Sequence, residues 1–153
     1  MYRLFFIAVC FFVLESCGNN NEETARKDGF TPVLKTKEDS LFHEVMEGHN
    51  IGMAKTGQIK NYSERVKQAL DSINQLPVEK LDILYQQALM DLQEDLNYAN
   101  YSMNTWMDEF NADSVKDNEE KRIQYLEAEK TKVLKVKEAI LGSLQRADSL
   151  FNK

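Results

Sequence analysis

The sequence predicts an all-α protein: an antiparallel, up-down-up bundle of three long helices, preceded by a signal peptide and a flexible tether. Three observations carry that prediction. Apolar residues recur at spacings of three and four through residues 39–151, the period of one helix face. Strand signals are missing, with no alternating β-branched runs and no Asn-Gly or Asp-Gly turn between apolar stretches. Turn signals fall at two regular intervals, near 75–77 and 111–114. They favour a chain that folds back over the rival architecture, a long parallel coiled coil.

The first element is residues 1–16. Arg3 gives a small positive start, and Leu4 to Leu14 is an apolar run of about eleven residues. As a helix it would reach about 16 Å, half the hydrocarbon thickness of a bilayer, so it reads as a signal peptide and not a membrane span. Leu14-Glu15-Ser16-Cys17 resembles the lipobox of bacterial lipoproteins, with Glu15 standing where a small residue is usual. That resemblance implies cleavage before Cys17, lipidation of Cys17 and an N-terminus carrying acyl chains such as palmitate. Two or more chains suffice for stable anchoring. A plain signal peptide with an incidental cysteine is the alternative. Cys10 leaves with the signal, so the mature chain has neither an internal disulfide nor a cysteine-based zinc site.

Residues 17–38 are the lipidated cysteine and a tether, rich in Asn, Glu, Thr, Lys and Asp around Gly29 and Pro32. Fully extended, the tether would reach roughly 65 Å. Asn19-Asn20-Asn21-Glu22-Glu23 weakly resembles the acidic tags that send some Bacteroidota lipoproteins to the cell surface; ordinary tether polarity is the preferred reading. The expected location is the cell envelope, anchored by lipid at the outer membrane on its periplasmic or surface face.

Residues 39–153 form the helical domain, with helices expected at about 39–75, 77–111 and 114–151. The first follows Phe42, Met46, His49, Met53, Ile59, Val66 and Ile73, and is weakened by Gly48, Gly52 and Gly57. The second follows Val78, Leu81, Tyr85, Ala88, Leu92, Leu96, Ala99, Met103, Trp106 and Phe110, with Pro77 suited to a first helical position. The third follows Ile123, Leu126, Val133, Val136, Ile140, Leu144, Ala147 and Phe151.

The formal net charge is −6, unchanged by loss of Arg3 and Glu15 with the signal. An acidic surface argues against nucleic acid as a partner. Familiar catalytic patterns fail. His43-Glu44-Val45-Met46-Glu47 has Glu where a zincin needs its second His, and neither histidine has an acid three residues before it. The carboxylate pairs sit in polar faces, and no enzyme activity is expected.

One constellation remains. His43, Met46, His49 and Met53 share a helix face, and reflection about residue 76 brings Met103 and Trp106 level with them. Imidazole and thioether groups suit Cu(I), so these residues are a candidate soft-metal site. The competing reading is a core of adaptable methionines around one tryptophan. Separately, an Asp-Ser-aliphatic triplet occurs at Ser40, Ser72, Ser114 and Ser149. It resembles the O-glycosylation site of some Bacteroidota, while helix capping by Asp and Ser accounts for the same residues.

Leu41-Phe42-His43-Glu44-Val45-Met46 with His49 and Met53, Asn100 to Met107, and Tyr125 through Lys137 are similar to uncharacterised Bacteroidota lipoproteins, sometimes named viral A-type inclusion repeat proteins. The resemblance spans about residues 40–145 and implies a helical domain in the envelope; it implies no activity. The expected function is that of a non-enzymatic, lipid-anchored module that binds or spaces an envelope protein or polymer. Cu(I) binding or buffering is the alternative, and capture of a small hydrophobic ligand between the helices is a third reading. No cofactor is expected beyond that possible metal.

Overall fold

Three of the four α-helices among the described residues start at a side chain that satisfies an otherwise orphaned N–H group. A computed structural model of the chain describes residues 33–152. Thr36 opens α1 (Lys37–Met53) with a capping box: Asp39 N–H donates to Thr36 Oγ1 at 3.0 Å, and Thr36 N–H donates to Asp39 Oδ2 at 3.1 Å. After α2 (Thr56–Ile73), α3 (Ile83–Glu109) begins where Tyr85 N–H donates to Asp82 Oδ1 at 3.0 Å. α4 (Glu119–Phe151) begins where Lys121 N–H donates to Asn118 Oδ1 at 3.0 Å, with Glu119 and Glu120 favourably placed in the first turn. Among the described residues there is no strand.

The helices pack together around one apolar core. α1 lies chiefly against α4 and α2 chiefly against α3, while α3 and α4 cover each other. Their buried seams follow a 4-3 alternation, the spacing of coiled-coil packing. On α3 the seam is Leu89, Leu92, Leu96, Ala99, Met103 and Trp106. On α4 it is Arg122, Leu126, Glu129, Val133, Val136, Ile140, Ser143 and Ala147, so the buried polar residues occupy core positions. Across α1 and α2 it is Leu41, Val45, Gly48, Gly52, Ile59, Val66 and Ile73.

The glycines on this last seam make room for α4. A Cβ on Gly48 would stand 3.0 Å from Val133 Cγ1, and one on Gly52 would meet the Met103 methyl group and lie 3.2 Å from Ile140 Cδ1. The buried face of α1 is therefore Leu41-Val45-Gly48-Gly52. The sequence-predicted face of Phe42, Met46, His49 and Met53 is its flank.

Helix bounds differ from expectation in three places. The span 39–75 is two helices, because the hydrogen-bond ladder tightens at the Ala54–Lys55 junction, where Lys55 N–H donates to Gly52 O at 2.9 Å. Flanking Gly52 and Gly57 hold the helix weakly there, and Thr56 Oγ1 takes the Met53 carbonyl at 2.9 Å. Both junction residues keep right-handed backbone angles, and the seam continues in phase across them. The second helix starts at Ile83 and not at 77: Pro77 is extended, Val78–Lys80 form a single 3₁₀ turn, and Asp82 is the better cap. The third starts at Glu119 and not at 114, because Asn118, rather than Asp113 or Ser114, caps it. Val115 in the preceding loop has φ of 50°, a left-handed conformation that is strained for a β-branched side chain.

Candidate functional site

Two buried charged residues organise the end of the bundle where the chain enters α1. Arg122 is 2% exposed. Its Nε donates to Glu38 Oε1 at 2.9 Å, and its terminal nitrogens donate to Ser114 O at 2.9 Å and Ala112 O at 2.8 Å. One guanidinium thus ties the first turn of α1 to the loop between α3 and α4, a planar fork used on three partners. About two turns further along, Glu129 is 3% exposed. It accepts from Trp106 Nε1 at 3.0 Å and from Lys132 Nζ at 2.8 Å. The hydrogen bond from Glu129 holds the Lys132 ammonium above its ordinary range.

Between these two charges runs a column of rings. His49 lies on Trp106 with centroids 5.6 Å apart, Trp106 on Phe110 at 4.8 Å, and Phe110 on Tyr125 at 6.3 Å. Phe42 closes on Phe110 at 6.4 Å, and the Arg122 guanidinium sits 5.8 Å from the Tyr125 ring. The Tyr125 hydroxyl in turn accepts from Asn111 N–H at 2.9 Å.

The candidate metal residues are distributed over this arrangement as follows. His49 meets Trp106, and its Nδ1 pairs with Asn50 Oδ1 at 3.0 Å. Met103 is 1% exposed and fills the space left open by Gly52, which makes it a packing residue. Met53 and Met107 are half-buried against the same core. Met46 is half-buried on the flank, and His43 is exposed. The level of pairing is three residues off the reflection about residue 76: His49, not Met46, stands opposite Trp106, because the non-helical stretch before Ile83 takes up chain.

The four Asp-Ser-aliphatic copies part company. Ser40, Ser72 and Ser149 lie within helices and donate to the carbonyls of Thr36, Gln68 and Gln145 at 3.1, 2.8 and 2.9 Å. Ser114 lies in the loop before α4, outside any helix. Cys17 and the signal peptide fall outside the described residues.

No family model, curated protein or solved structure matches this chain.

The surface holds what the apolar-residue count left unplaced. A groove of about 410 Å³ runs between α3 and α4, with Ala88, Leu92 and Leu150 in its lining and Asp91 and Asp95 beside them. Asp95 is paired with Arg146 at 2.5 Å. A second groove of about 480 Å³ lies between α2 and α3, lined by Ile59, Lys60, Glu64, Asn97 and Asn100. Among the described residues no helix is long and apolar enough to cross a membrane. Sequence reasoning missed Arg122 and Glu129 by counting apolar residues alone, which put Ile123 on the seam at the place Arg122 takes and left the Glu129 position empty. Their 4-3 register with Leu126 and Val133 is the signal that marks them as core.

Proposed function

We propose that the chain is an exported lipoprotein, acylated at Cys17 and held at the envelope membrane, whose helical domain works by contact rather than by catalysis. The observation that carries this reading is the apolar run ending in Ser16-Cys17, followed by a polar stretch that leads into the capped start of α1. The order of contacts supports an up-down-up arrangement. Between α1 and α4, Glu38 meets Arg122, Glu44 meets Lys130, and the Gly52 backbone lies by Ile140, so residue numbers rise together. Between α3 and α4, Asp95 meets Arg146 and Trp106 meets Glu129, so they run in opposite senses. Such a rod, with α4 about 50 Å long, can display a surface away from the anchor. The resemblance to Bacteroidota lipoproteins points the same way.

The test is metabolic labelling with palmitate, followed by membrane fractionation of the wild type and Cys17→Ala. The expected result is a labelled, membrane-bound wild type and an unlabelled variant. Label that persists in Cys17→Ala, or an unlabelled wild type, refutes the anchor. A glycan, if attached, is expected at Ser114, whose loop position leaves the site outside helical structure; intact-mass measurement of Ser114→Ala checks that.

A further inference from the structure

Of the twelve large hydrophobic residues exposed among the described residues, five lie on α3: Ile83, Leu84, Met90, Tyr98 and Tyr101. Their exposures run from 47% for Met90 to 84% for Leu84. At 100° per residue, Ile83, Met90, Tyr98 and Tyr101 fall within an arc of about 80°, directly opposite Leu92, Leu96 and Met103 on the core side. Gln87 and Glu94 interrupt that arc, so α3 carries a second, broken apolar face, which nothing among the described residues covers. The outer stripe extends about 27 Å from Ile83 to Tyr101. Leu84 continues it sideways to Ala88 and Leu92, in the groove between α3 and α4. Single exposed apolar residues are ordinary, but an aligned stripe that opens into a groove marks an interaction surface.

Charge selects the occupant. α3 holds five acids, Asp91, Glu94, Asp95, Asp108 and Glu109, and no Lys, Arg or His. Glu94 lies within the outer arc and Asp91 at its edge, and among the described residues neither forms an ion pair, whereas Asp95 is bound to Arg146. The C-terminal end of the helix dipole adds negative potential beside Asp108 and Glu109. A second copy laid on this face would set acid against acid, and an anionic lipid surface would be repelled.

We propose that the outer face of α3 docks a cationic amphipathic helix of a partner protein, whose apolar residues cover Ile83, Met90, Tyr98 and Tyr101 while its Lys or Arg residues meet Asp91 and Glu94. This deepens the interaction-module reading, and it rests on that reading only for the existence of a partner.

The test titrates the full chain in detergent with two fluorescent amphipathic peptides of about 20 residues, matched to the stripe in length. One is built of leucine and lysine, the other of leucine and glutamate. The expected result is binding of the lysine peptide, weakened about tenfold in Asp91→Lys/Glu94→Lys. Loss of binding is also expected in Met90→Ser/Tyr98→Ser, with little change in a reversal placed off α3, Glu44→Lys/Glu47→Lys. Circular dichroism of each variant checks that the surface changes leave the helices intact. Equal binding of both peptides, or equal sensitivity to the α1 and α3 reversals, overturns the proposal. So does a dimer of the chain that Met90→Ser/Tyr98→Ser dissolves, which assigns the face to a second copy. None of these outcomes depends on acylation of Cys17, and an unlabelled Cys17 leaves them unchanged.

Discussion

Arg122 is the residue on which the entry end of the domain depends. It is inside, while its partner Glu38 is 39% exposed, so removing either side has unequal consequences. Arg122→Met deprives the Ala112 and Ser114 carbonyls of their donors and leaves Glu38 in water; a loss of about 2 kcal/mol is expected in urea unfolding. Glu38→Gln keeps a neutral acceptor in place and should cost less than half of that. The reverse ranking would show that the carbonyl contacts contribute nothing. The Glu129–Lys132 pair makes a prediction in pH. Its hydrogen bond raises the folded-state value of Lys132 above the ordinary 10.5. That contribution is therefore complete below about pH 10.5 and is lost as pH rises through the higher folded value. The Tyr62 hydroxyl, raised by its bond to Asp148, acts with the same sign, so the signal is a difference. Urea midpoints of the wild type should fall faster above pH 10.5 than those of Glu129→Gln, and parallel curves would refute the pair.

At the scale of helices, the periodic residues of α3 and α4 were legible because long apolar side chains mark the seam in one dimension. Leu92, Leu96, Ala99, Met103 and Trp106 on α3, and Leu126 through Ala147 on α4, are where the 3.6-residue period puts them. On α1 the same reasoning slipped by one position, since Gly48 and Gly52 carry no side chain to count yet stand on the buried face. Composition reads a glycine as a helix breaker; only the neighbouring helix shows that it is a point of close approach. Asp82 and Asn118 were readable as caps, each preceding a helix, but Pro77 and the Asp113-Ser114 pair offered stronger local signals farther upstream. The glycines can now be told apart by substitution. Gly142→Ala, where a Cβ would have Arg146 as its nearest neighbour at 3.7 Å, should add about 0.5–1 kcal/mol of stability and raise Tm by several degrees. Gly48→Leu should cost at least about 1–3 kcal/mol, because even its Cβ crowds Val133. A Gly48→Leu variant as stable as the wild type would mean that α1 does not rest on α4.

For the molecule as a whole, one core joins Val45 on α1 to Ile73 on α2, Leu89 on α3 and Ala147 on α4. No helix has a private core to survive on, so the domain should unfold in a single step. Trp106 is the only tryptophan and is 4% exposed, which makes its fluorescence a report on the centre of the fold. Its urea transition should coincide with that of far-ultraviolet circular dichroism; separated midpoints would show that the segments either side of Ala54–Lys55 melt independently. The clamp at Arg122 also has a mechanical consequence. A pull on the chain from upstream of Val33 reaches the domain at the start of α1. It meets an exposed pair, Lys37 to Glu127, and then at the next residue the buried connection of Glu38 to Arg122, held in turn by the loop carbonyls of Ala112 and Ser114. Load is therefore shared at once with α4 and the end of α3 before it reaches the apolar seam. Force applied at that end is thus resisted by ionic and hydrogen-bonded contacts before any apolar packing is loaded.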